Sequence, residues 1–296
     1  MRRITLMYHT KILTVSFLVL FGIASVGGAQ NLDGNPYTPG VDANIDMFMG
    51  SWKESMPQHT HGNLVERDIL TKGDPLNPPT KGAVLKYTNR FTFATLEDGA
   101  SIMPTTLSGE QEILFLLSGK GTITGGGKTY DIHAGSTVLI PAGLEFTMKN
   151  SSDVPMTMYL INEPVPRGFR PNDFLLVRDE NVIPVASDTG HWCHVVKALF
   201  STTDGLGTLQ AILTVGFPPM RIAHPHSHEA GCEEVWTTIC GEKNVAFIGK
   251  QLRIQPPGTG YMIPPDGKTP HANINTTTEP FKMLYFARYG DHDVRP

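Results

Sequence analysis

An internal repeat constrains the fold of this 296-residue chain more than any other feature. Glu112 stands seven residues before Gly119, and Glu234 stands seven residues before Gly241. Three more positions recur in the same order, namely Gly135, Pro141 and Asn150 in the first copy and Gly258, Pro264 and Asn275 in the second. The spacing between equivalent positions grows slightly along the chain, as expected when loops drift and strands do not. The pattern predicts one architecture used twice.

Each copy is a series of short apolar runs separated by turn residues. With 30 glycines, 23 prolines and only 18% charged residues, the composition favours short strands over long amphipathic helices. We predict strands at 83–96, 113–117, 122–123, 137–140, 145–148 and 156–161 in the first copy. The second copy is predicted to have strands at 208–214, 234–239, 244–248, 251–254, 260–263, 272–274 and 281–287. Many short strands with frequent turns indicate an all-β sandwich or barrel.

The first 29 residues have the pattern of a secretory signal peptide. Three basic residues precede an almost continuous apolar run from Ile12 to Gly28, and small residues follow at Ala29, where we expect cleavage. The mature protein is then periplasmic or extracellular, with no stable membrane insertion. An uncleaved anchor is the alternative, although the apolar run is slightly short to cross a bilayer.

The remaining sequence divides into four segments. Residues 30–80, polar and rich in proline and glycine, are predicted to form an N-terminal arm. Residues 81–165 hold the first copy, 166–192 a linker and first strand region, and 193–296 the second copy.

The net charge is −4 and becomes more negative when the basic leader is removed, so no electrostatic footprint for nucleic acid exists. The three cysteines imply no disulfide framework, and we expect free buried thiols.

A histidine-rich stretch in the second copy is the strongest functional signal. His224, His226 and His228 alternate, which places side chains on one face if the segment is a strand. Glu234 and His271 follow on later predicted strands, and inward-facing positions of a small barrel converge. Imidazoles with a carboxylate suit a divalent transition metal such as Mn, Fe, Zn or Ni. The sequence therefore predicts one metal site with the ligands His226, His228, Glu234 and His271.

Other residues near this stretch are candidates for catalysis. Glu233 neighbours Glu234, but the spacing to Gly241 favours Glu234 as ligand and turns Glu233 to the other side of the strand. His224, Glu233 or a metal-bound hydroxide are alternatives for a general base. Pro225 interrupts the strand, so His224 is expected beside the metal rather than on it. Arg221 is a candidate for binding a substrate carboxylate.

These residues resemble the two sequence motifs of the cupin superfamily. The first motif corresponds to His226, His228, Glu234 and Gly241, and the second to Gly258, Pro264, Gly267, His271 and Asn275. The second copy departs in two ways, with five residues between His228 and Glu234 and two extra residues in the second motif. The resemblance implies an all-β bicupin, two tandem cupin (double-stranded β-helix, or jelly-roll) barrels with an N-terminal arm.

The first copy keeps the scaffold of these motifs but not the histidines. It has Thr105 or Thr106 where the first histidine is expected and Phe146 where the last one is expected. We therefore predict a degenerate first cupin domain without metal ligands. Upstream, His59, His61 and Glu66 also form an H-x-H-x4-E pattern. It lacks a matching second motif and is interpreted as a coincidence in the arm, unless the arm covers a barrel mouth and brings His59 or His61 into a site.

The resemblance is specific for fold and not for reaction, since the superfamily includes isomerases, lyases, decarboxylases, dioxygenases and storage proteins. Our leading hypothesis is an exported metal-dependent enzyme acting by isomerase or lyase chemistry on a small sugar-acid or carbohydrate-derived substrate. The alternatives are an Fe-dependent dioxygenase and a non-catalytic sugar-binding cupin. A homodimer is also an open possibility.

Overall fold

The computed structural model describes residues 38–186 and 194–289. The described chain is built from strands, with short 3-10 helices at Ile45–Phe48, Trp52–Glu54 and Thr202–Asp204. The predicted signal peptide lies outside the described residues. No helix within the described ranges is long and apolar enough to cross a membrane. The all-β prediction is confirmed.

The first half contains an eight-stranded and a four-stranded sheet. In chain order its strands are β2 (Gln58–Thr60), β3 (Leu64–Lys72), β4 (Ala83–Leu85), β5 (Arg90–Leu96), β6 (Thr105–Thr106), β7 (Glu110–Ser118), β8 (Lys120–Gly125), β9 (Lys128–His133), β10 (Ser136–Ile140), β11 (Glu145–Asn150), β12 (Met156–Pro164) and β13 (Leu176–Asp179). The large sheet has the order β13-β10-β7-β12-β5-β3-β2, with β4 parallel to β3, and the small sheet has the order β6-β11-β8-β9. Apolar side chains from both sheets form one core between them.

The second half repeats this plan with a six-stranded and a three-stranded sheet. Its strands are β1 (Met49–Ser51), β14 (Val195–Ser201), β15 (Ala211–Phe217), β16 (Glu233–Cys240), β17 (Asn244–Ile248), β18 (Gln251–Ile254), β19 (Thr259–Met262), β20 (His271–Asn275) and β21 (Phe281–Arg288). The large sheet has the order β1-β19-β16-β21-β15-β14, and the small sheet has the order β18-β17-β20. A separate apolar core fills this half.

Segments predicted to be an arm and a linker contribute strands to the sheets. Strand β1, from the predicted arm, pairs with β19 of the second half. Strand β3, also from that segment, pairs with β5 of the first half, and β13 of the predicted linker pairs with β10. The strand β3 was not predicted because its first residues are charged. In the structure Glu66 is nevertheless buried and accepts hydrogen bonds from Arg90 and Thr92 at 3.1 and 3.0 Å.

The repeated asparagines have the same structural role in both halves. Asn150 Nδ2 donates to three carbonyl oxygens in the first half, and Asn275 Nδ2 donates to three in the second. Each side chain also accepts from the backbone two residues later, at Ser152 and Thr277. A buried amide that satisfies several backbone groups is costly to replace, which accounts for the repetition.

The repeated glycines allow close approach between strands. Gly119 and Gly241 have φ angles of 85° and 107°, a region that favours glycine. A Cβ atom at Gly241 would lie 2.5 Å from Cβ of Phe281, and one at Gly119 would lie 3.0 Å from Cα of Met156. Both turns therefore need glycine for conformation and for space.

The two halves pack through their large sheets and exchange hydrogen bonds. Tyr159 Oη donates to the carbonyl of Thr238 at 2.6 Å and accepts from the N–H of Gly258 at 2.8 Å. Two buried carboxylates bind backbone N–H groups of the opposite half. Glu163 accepts from residues 207–209, and Glu233 accepts from residues 86–88. Each half thus holds the segment that leads into a strand of the other.

Candidate metal centre

Three elements bring the predicted ligands together. Glu234 lies on β16, His271 begins β20, and His226 lies on the irregular segment 221–228 beside β20. His226 and His271 exchange two backbone hydrogen bonds, of 3.2 and 2.9 Å. His226 and His228 were expected to share the face of one strand, but the segment that carries them is not a regular strand. Segment 221–228 bridges β20 only at isolated points, and Pro225, which has no N–H to donate, lies between them.

The ring of His226 is oriented by a backbone carbonyl. Its Nδ1 lies 2.8 Å from the carbonyl oxygen of His224, so the proton resides on Nδ1 and the lone pair on Nε2. Burial lowers the pKa of His226, which favours the neutral ring. A neutral imidazole with one nitrogen held by a carbonyl is the usual form of a metal ligand.

The three predicted histidine ligands are close neighbours. One ring nitrogen from each of His226, His228 and His271 lies within 4.8 Å of the others. The rings of His226 and His271 are 4.4 Å apart between centroids, and those of His226 and His228 are 4.8 Å apart. The arrangement groups three imidazole donors from a loop and a strand.

Glu234 is the buried anion of this group. Its Oε2 lies 2.7 Å from His228 Nε2, and its Oε1 lies 2.9 Å from His271 Nε2. Trp236 Nε1 donates to Oε1 at 2.6 Å, and Tyr285 Oη donates to Oε2 at 3.1 Å. Burial favours the neutral acid, but the two imidazoles outweigh it and lower the pKa of Glu234 well below its usual range.

The histidine nitrogens nearest to Glu234 form close ion-pair contacts with it rather than well-aligned hydrogen bonds. His228 Nε2 and both ring nitrogens of His271 are buried and lack a hydrogen-bond partner among the described residues. The short distances therefore do not come with the alignment that a hydrogen bond requires. Buried nitrogens that surround a carboxylate without bonding to it are what a cation between them would satisfy. The donor set fits a divalent transition metal.

Residues 92–162, in the first half, match the family described as "Cupin domain". No curated protein matches the chain in sequence.

Solved structures show the same architecture over most of the chain. A glyoxylate-induced protein from Pseudomonas aeruginosa is 16% identical with a TM-score of 0.64, covering 88% of this chain and 96% of that one. An oxalate decarboxylase mutant from Bacillus subtilis is 13% identical with a TM-score of 0.60, covering 84% of this chain and 78% of that one. The vicilin of hazelnut (Corylus avellana) is 13% identical with a TM-score of 0.60, covering 81% and 85%.

The chain has the fold of a bicupin. Its relatives by fold include an enzyme and a protein named vicilin, so the fold leaves the activity open. The family match falls on the half without the predicted metal ligands, and the repeat relates the two halves of the bicupin to each other.

In the first half, different side chains stand at the positions that correspond to the predicted metal ligands of the second half. Phe146 pairs with Thr105 as His271 pairs with His226, which identifies Thr105 as the counterpart of His226. Glu112 is buried there, as Glu234 is in the second half. The described residues of this half bring no group of three metal-ligating side chains together. That this half binds no metal stays a prediction.

His61 enters that first-half position from the hairpin between β2 and β3. Its Nε2 lies 3.5 Å from Glu112 Oε2, and its ring meets that of Phe146 edge-on at 5.7 Å. Its φ of 46° is rare for a residue with a side chain, so the hairpin holds it in a strained conformation. The sequence left open whether the arm brings His59 or His61 into a site. The structure places His61 against Glu112, whereas His59 is exposed.

Two of the predicted catalytic residues lie away from the metal ligands. Glu233 points to the other face of β16, where both its oxygens accept backbone N–H groups of residues 86–88 at 2.6 to 2.9 Å. These hydrogen bonds use the Glu233 carboxylate to join the two halves. Arg221 is exposed and lies opposite Asn275, at the far end of β20 from His271.

His224 remains beside the bicupin's candidate centre. Its side chain is exposed, and it lines a small pocket together with His226, His271 and Trp236. Its carbonyl orients His226, as described above. Its expected role next to the metal rather than on it stays a prediction.

The sequence did not predict that Cys232, Tyr285 and Tyr289 are neighbours of the candidate centre. Tyr285 lies on β21, and Tyr289 follows its last residue. Cys232 Sγ lies within 4.8 Å of donor atoms of His228 and Glu234. Tyr285 is hydrogen-bonded to Glu234 and also to the hydroxyl of Tyr289. The signal available was the two-residue spacing of Cys232 from Glu234, which puts both on one face. Cys232 is a free buried thiol as expected, but Cys240 is exposed, and Cys193 lies outside the described residues.

Proposed function

We propose that this bicupin is an exported metal-dependent enzyme with one divalent transition metal, Mn, Fe, Zn or Ni, bound by His226, His228, Glu234 and His271. The observation that carries the proposal is the set of buried histidine nitrogens that contact the Glu234 carboxylate without well-aligned hydrogen bonds. Such groups are costly to bury without a partner, and a bound cation satisfies them.

The bound metal would supply Lewis-acid polarisation of a substrate oxygen. The protein's own groups position the ligands for it. The His224 carbonyl keeps Nε2 of His226 deprotonated, and Trp236 and Tyr285 hold the two oxygens of Glu234. These contacts fix ring tautomer and carboxylate orientation before a metal or substrate arrives.

For proton transfer we propose His224 and Tyr289. His224 is exposed on the rim of the pocket lined by His226 and His271, so its ring is available as a base. Tyr289 is the partly exposed end of the hydroxyl chain Tyr289–Tyr285–Glu234, and burial raises its pKa, so it stays neutral. Because Tyr285 donates to Glu234, the Tyr289 O–H donates to Tyr285, and it would have to turn away from Tyr285 to give its proton to a substrate oxygen. Glu233 is not used as a base, since three backbone N–H groups occupy its carboxylate.

We propose a small acidic substrate, of the sugar-acid or carbohydrate-derived class, and isomerase or lyase chemistry. Two proteins of the same fold are named for oxalate and glyoxylate, which are small carboxylates, and this supports an acidic substrate. A cavity of about 670 Å³ that includes Cys232 among its lining residues is of a size that suits a small molecule. A homodimer is also proposed, because proteins of this fold associate readily, and sedimentation of the mature protein measures it.

The test of the metal centre is elemental analysis of the purified mature protein and of two neighbouring variants. Glu234→Gln removes the charge among the histidines, and Glu233→Gln removes an equally buried charge that faces residues 86–88. We expect metal in the wild type and in Glu233→Gln and its loss in Glu234→Gln. Metal lost only from Glu233→Gln would refute the ligand assignment.

The test of the reaction is turnover of small sugar acids and dicarboxylates with and without oxygen. Lyase or isomerase chemistry continues anaerobically and with Mn²⁺ or Zn²⁺. An Fe²⁺ requirement with oxygen uptake would instead identify a dioxygenase. Ligand binding that survives both chelation and His271→Ala, with no turnover, would identify a non-catalytic binding protein.

A further inference from the structure

Cys232 is a second kind of donor at the candidate centre. It lies directly before β16 and two residues before Glu234, and donor atoms of both side chains are close together. Cys232 is 4% exposed, and its Sγ lies within 4.8 Å of a His228 nitrogen and a Glu234 oxygen. His228 therefore belongs to two donor groups, one with His226 and His271 and one with Cys232 and Glu234.

The distances are of the size that one cation spans. A transition metal binds nitrogen or oxygen at about 2.0–2.2 Å and thiolate sulfur at about 2.3 Å, so two donors on one ion lie at most about 4.5 Å apart. The thiol, the carboxylate and the imidazole are already near this limit. Buried nitrogens of His228 and His271 that lack a well-aligned hydrogen bond belong to the same cluster and are an independent sign that a cation binds there.

We propose that Cys232 is an additional ligand of the proposed metal, bound as thiolate beside His228 and Glu234. This inference rests on the proposed metal-dependent function. On binding, the S–H bond breaks, the proton leaves to solvent and a metal–sulfur bond forms, with no change in oxidation state. A thiolate among imidazoles shifts the preference of the site towards Zn²⁺, Co²⁺ and Fe²⁺ and away from Mn²⁺.

The position of Cys232 also connects the centre to the exterior. The same side chain lines the cavity of about 670 Å³ together with Tyr87, Met262 and Lys268. Cys232 therefore borders this cavity and is also close to His228 and Glu234.

The experiment is cobalt substitution of the mature full-length protein. Co²⁺ bound by a thiolate gives an intense near-ultraviolet charge-transfer band, which imidazole and carboxylate ligands do not give. We expect this band in the wild type at one equivalent of Co²⁺. We expect Cys232→Ser to lose it while retaining the weaker visible bands of bound cobalt, and Cys240→Ser and Cys193→Ser to keep it.

A second measurement does not depend on the band. Competition with a chromophoric chelator should show that Cys232→Ser and Cys232→Ala bind Zn²⁺ roughly tenfold or more weakly, with little change for Mn²⁺. Circular dichroism checks that both variants fold.

The outcomes separate this inference from the proposed function. A wild type that binds Co²⁺ with visible bands but no charge-transfer band would overturn the role of Cys232 and leave the histidine and glutamate centre standing. A band that disappears with Cys193 or Cys240 instead would also overturn it. A wild type that binds no Co²⁺ or Zn²⁺ would overturn the metal-dependent function itself.

Discussion

Trp236 donates an indole hydrogen bond of 2.6 Å to Glu234, two positions earlier on the same strand. Alternate residues of a strand share a face, so β16 carries both the buried carboxylate and the group that orients it. The second oxygen of Glu234 is held from the neighbouring strand by Tyr285. The carboxylate orientation is thus set by side chains behind the candidate centre.

We expect Trp236→Phe to weaken metal binding about 10- to 100-fold without unfolding the protein, because the ring volume is largely kept and the hydrogen bond is lost. Chelator competition with Zn²⁺ measures the change. The matched control is Trp52→Phe, at a tryptophan that stacks on Phe93 outside the metal centre. Equal affinities for wild type and Trp236→Phe would show that the indole has no role in positioning Glu234.

Metal removal is expected to lower thermal stability. A ligand present at 100 times its dissociation constant stabilises the folded state by about 2.7 kcal/mol, provided that the unfolded chain does not bind it. Chelation should therefore lower the Tm of the wild type, and added Zn²⁺ or Mn²⁺ should restore it. His271→Ala should show no response to metal in the same scanning calorimetry. A Tm that ignores metal in the wild type would argue against the centre.

Tyr159→Phe is expected to destabilise the contact between the halves. The hydroxyl serves both the carbonyl of Thr238 and the N–H of Gly258, and its removal leaves two buried backbone groups without this partner. We expect a loss of about 1–3 kcal/mol in the free energy of unfolding, measured in urea. Tyr130→Phe, at a half-buried tyrosine of the first half, is the control and should change stability little.

The stabilising effect of His61 is expected to depend on pH. Burial opposes protonation of His61, but the neighbouring Glu112 outweighs it and raises the pKa above 6.5. A histidine with a raised pKa in the folded state stabilises it below the unfolded pKa and loses this effect as pH rises through the folded pKa.

His61→Ala should therefore lose more stability near about pH 6 than near about pH 9, by up to about 1 kcal/mol. Urea unfolding at both values measures the difference. His133→Ala, at a half-exposed histidine, is the comparison variant. A difference of the opposite sign would mean that Glu112 does not hold the His61 charge.

Export is expected to leave Gln30 or Asn31 as the first residue of the mature protein. N-terminal sequencing after secretion in a bacterial host tests this. An intact Met1 in the exported protein would refute cleavage and favour the membrane-anchored alternative.

Much of the fold was predictable because the repeat exposes it. Asn150 and Asn275 recur because each satisfies several backbone groups, and Gly119 and Gly241 recur because no side chain fits their turns. Such local requirements are visible as spacing in a sequence. Strand β3 was not predictable in this way, since its buried Glu66 reads as a surface residue until Arg90 and Thr92 are placed beside it.

By itself, the sequence determined the strand content, the twofold architecture and a set of four candidate ligands, because turn glycines, repeated asparagines and motif spacings are local properties. Only the tertiary structure decided what the adjacent Glu233 binds, because the N–H groups of residues 86–88 come from the other half. It also brought Cys232, Tyr285 and Trp236 around Glu234 and placed His61 against Glu112. These contacts join residues from different strands, and their distances depend on sheet pairing and packing that no local pattern encodes.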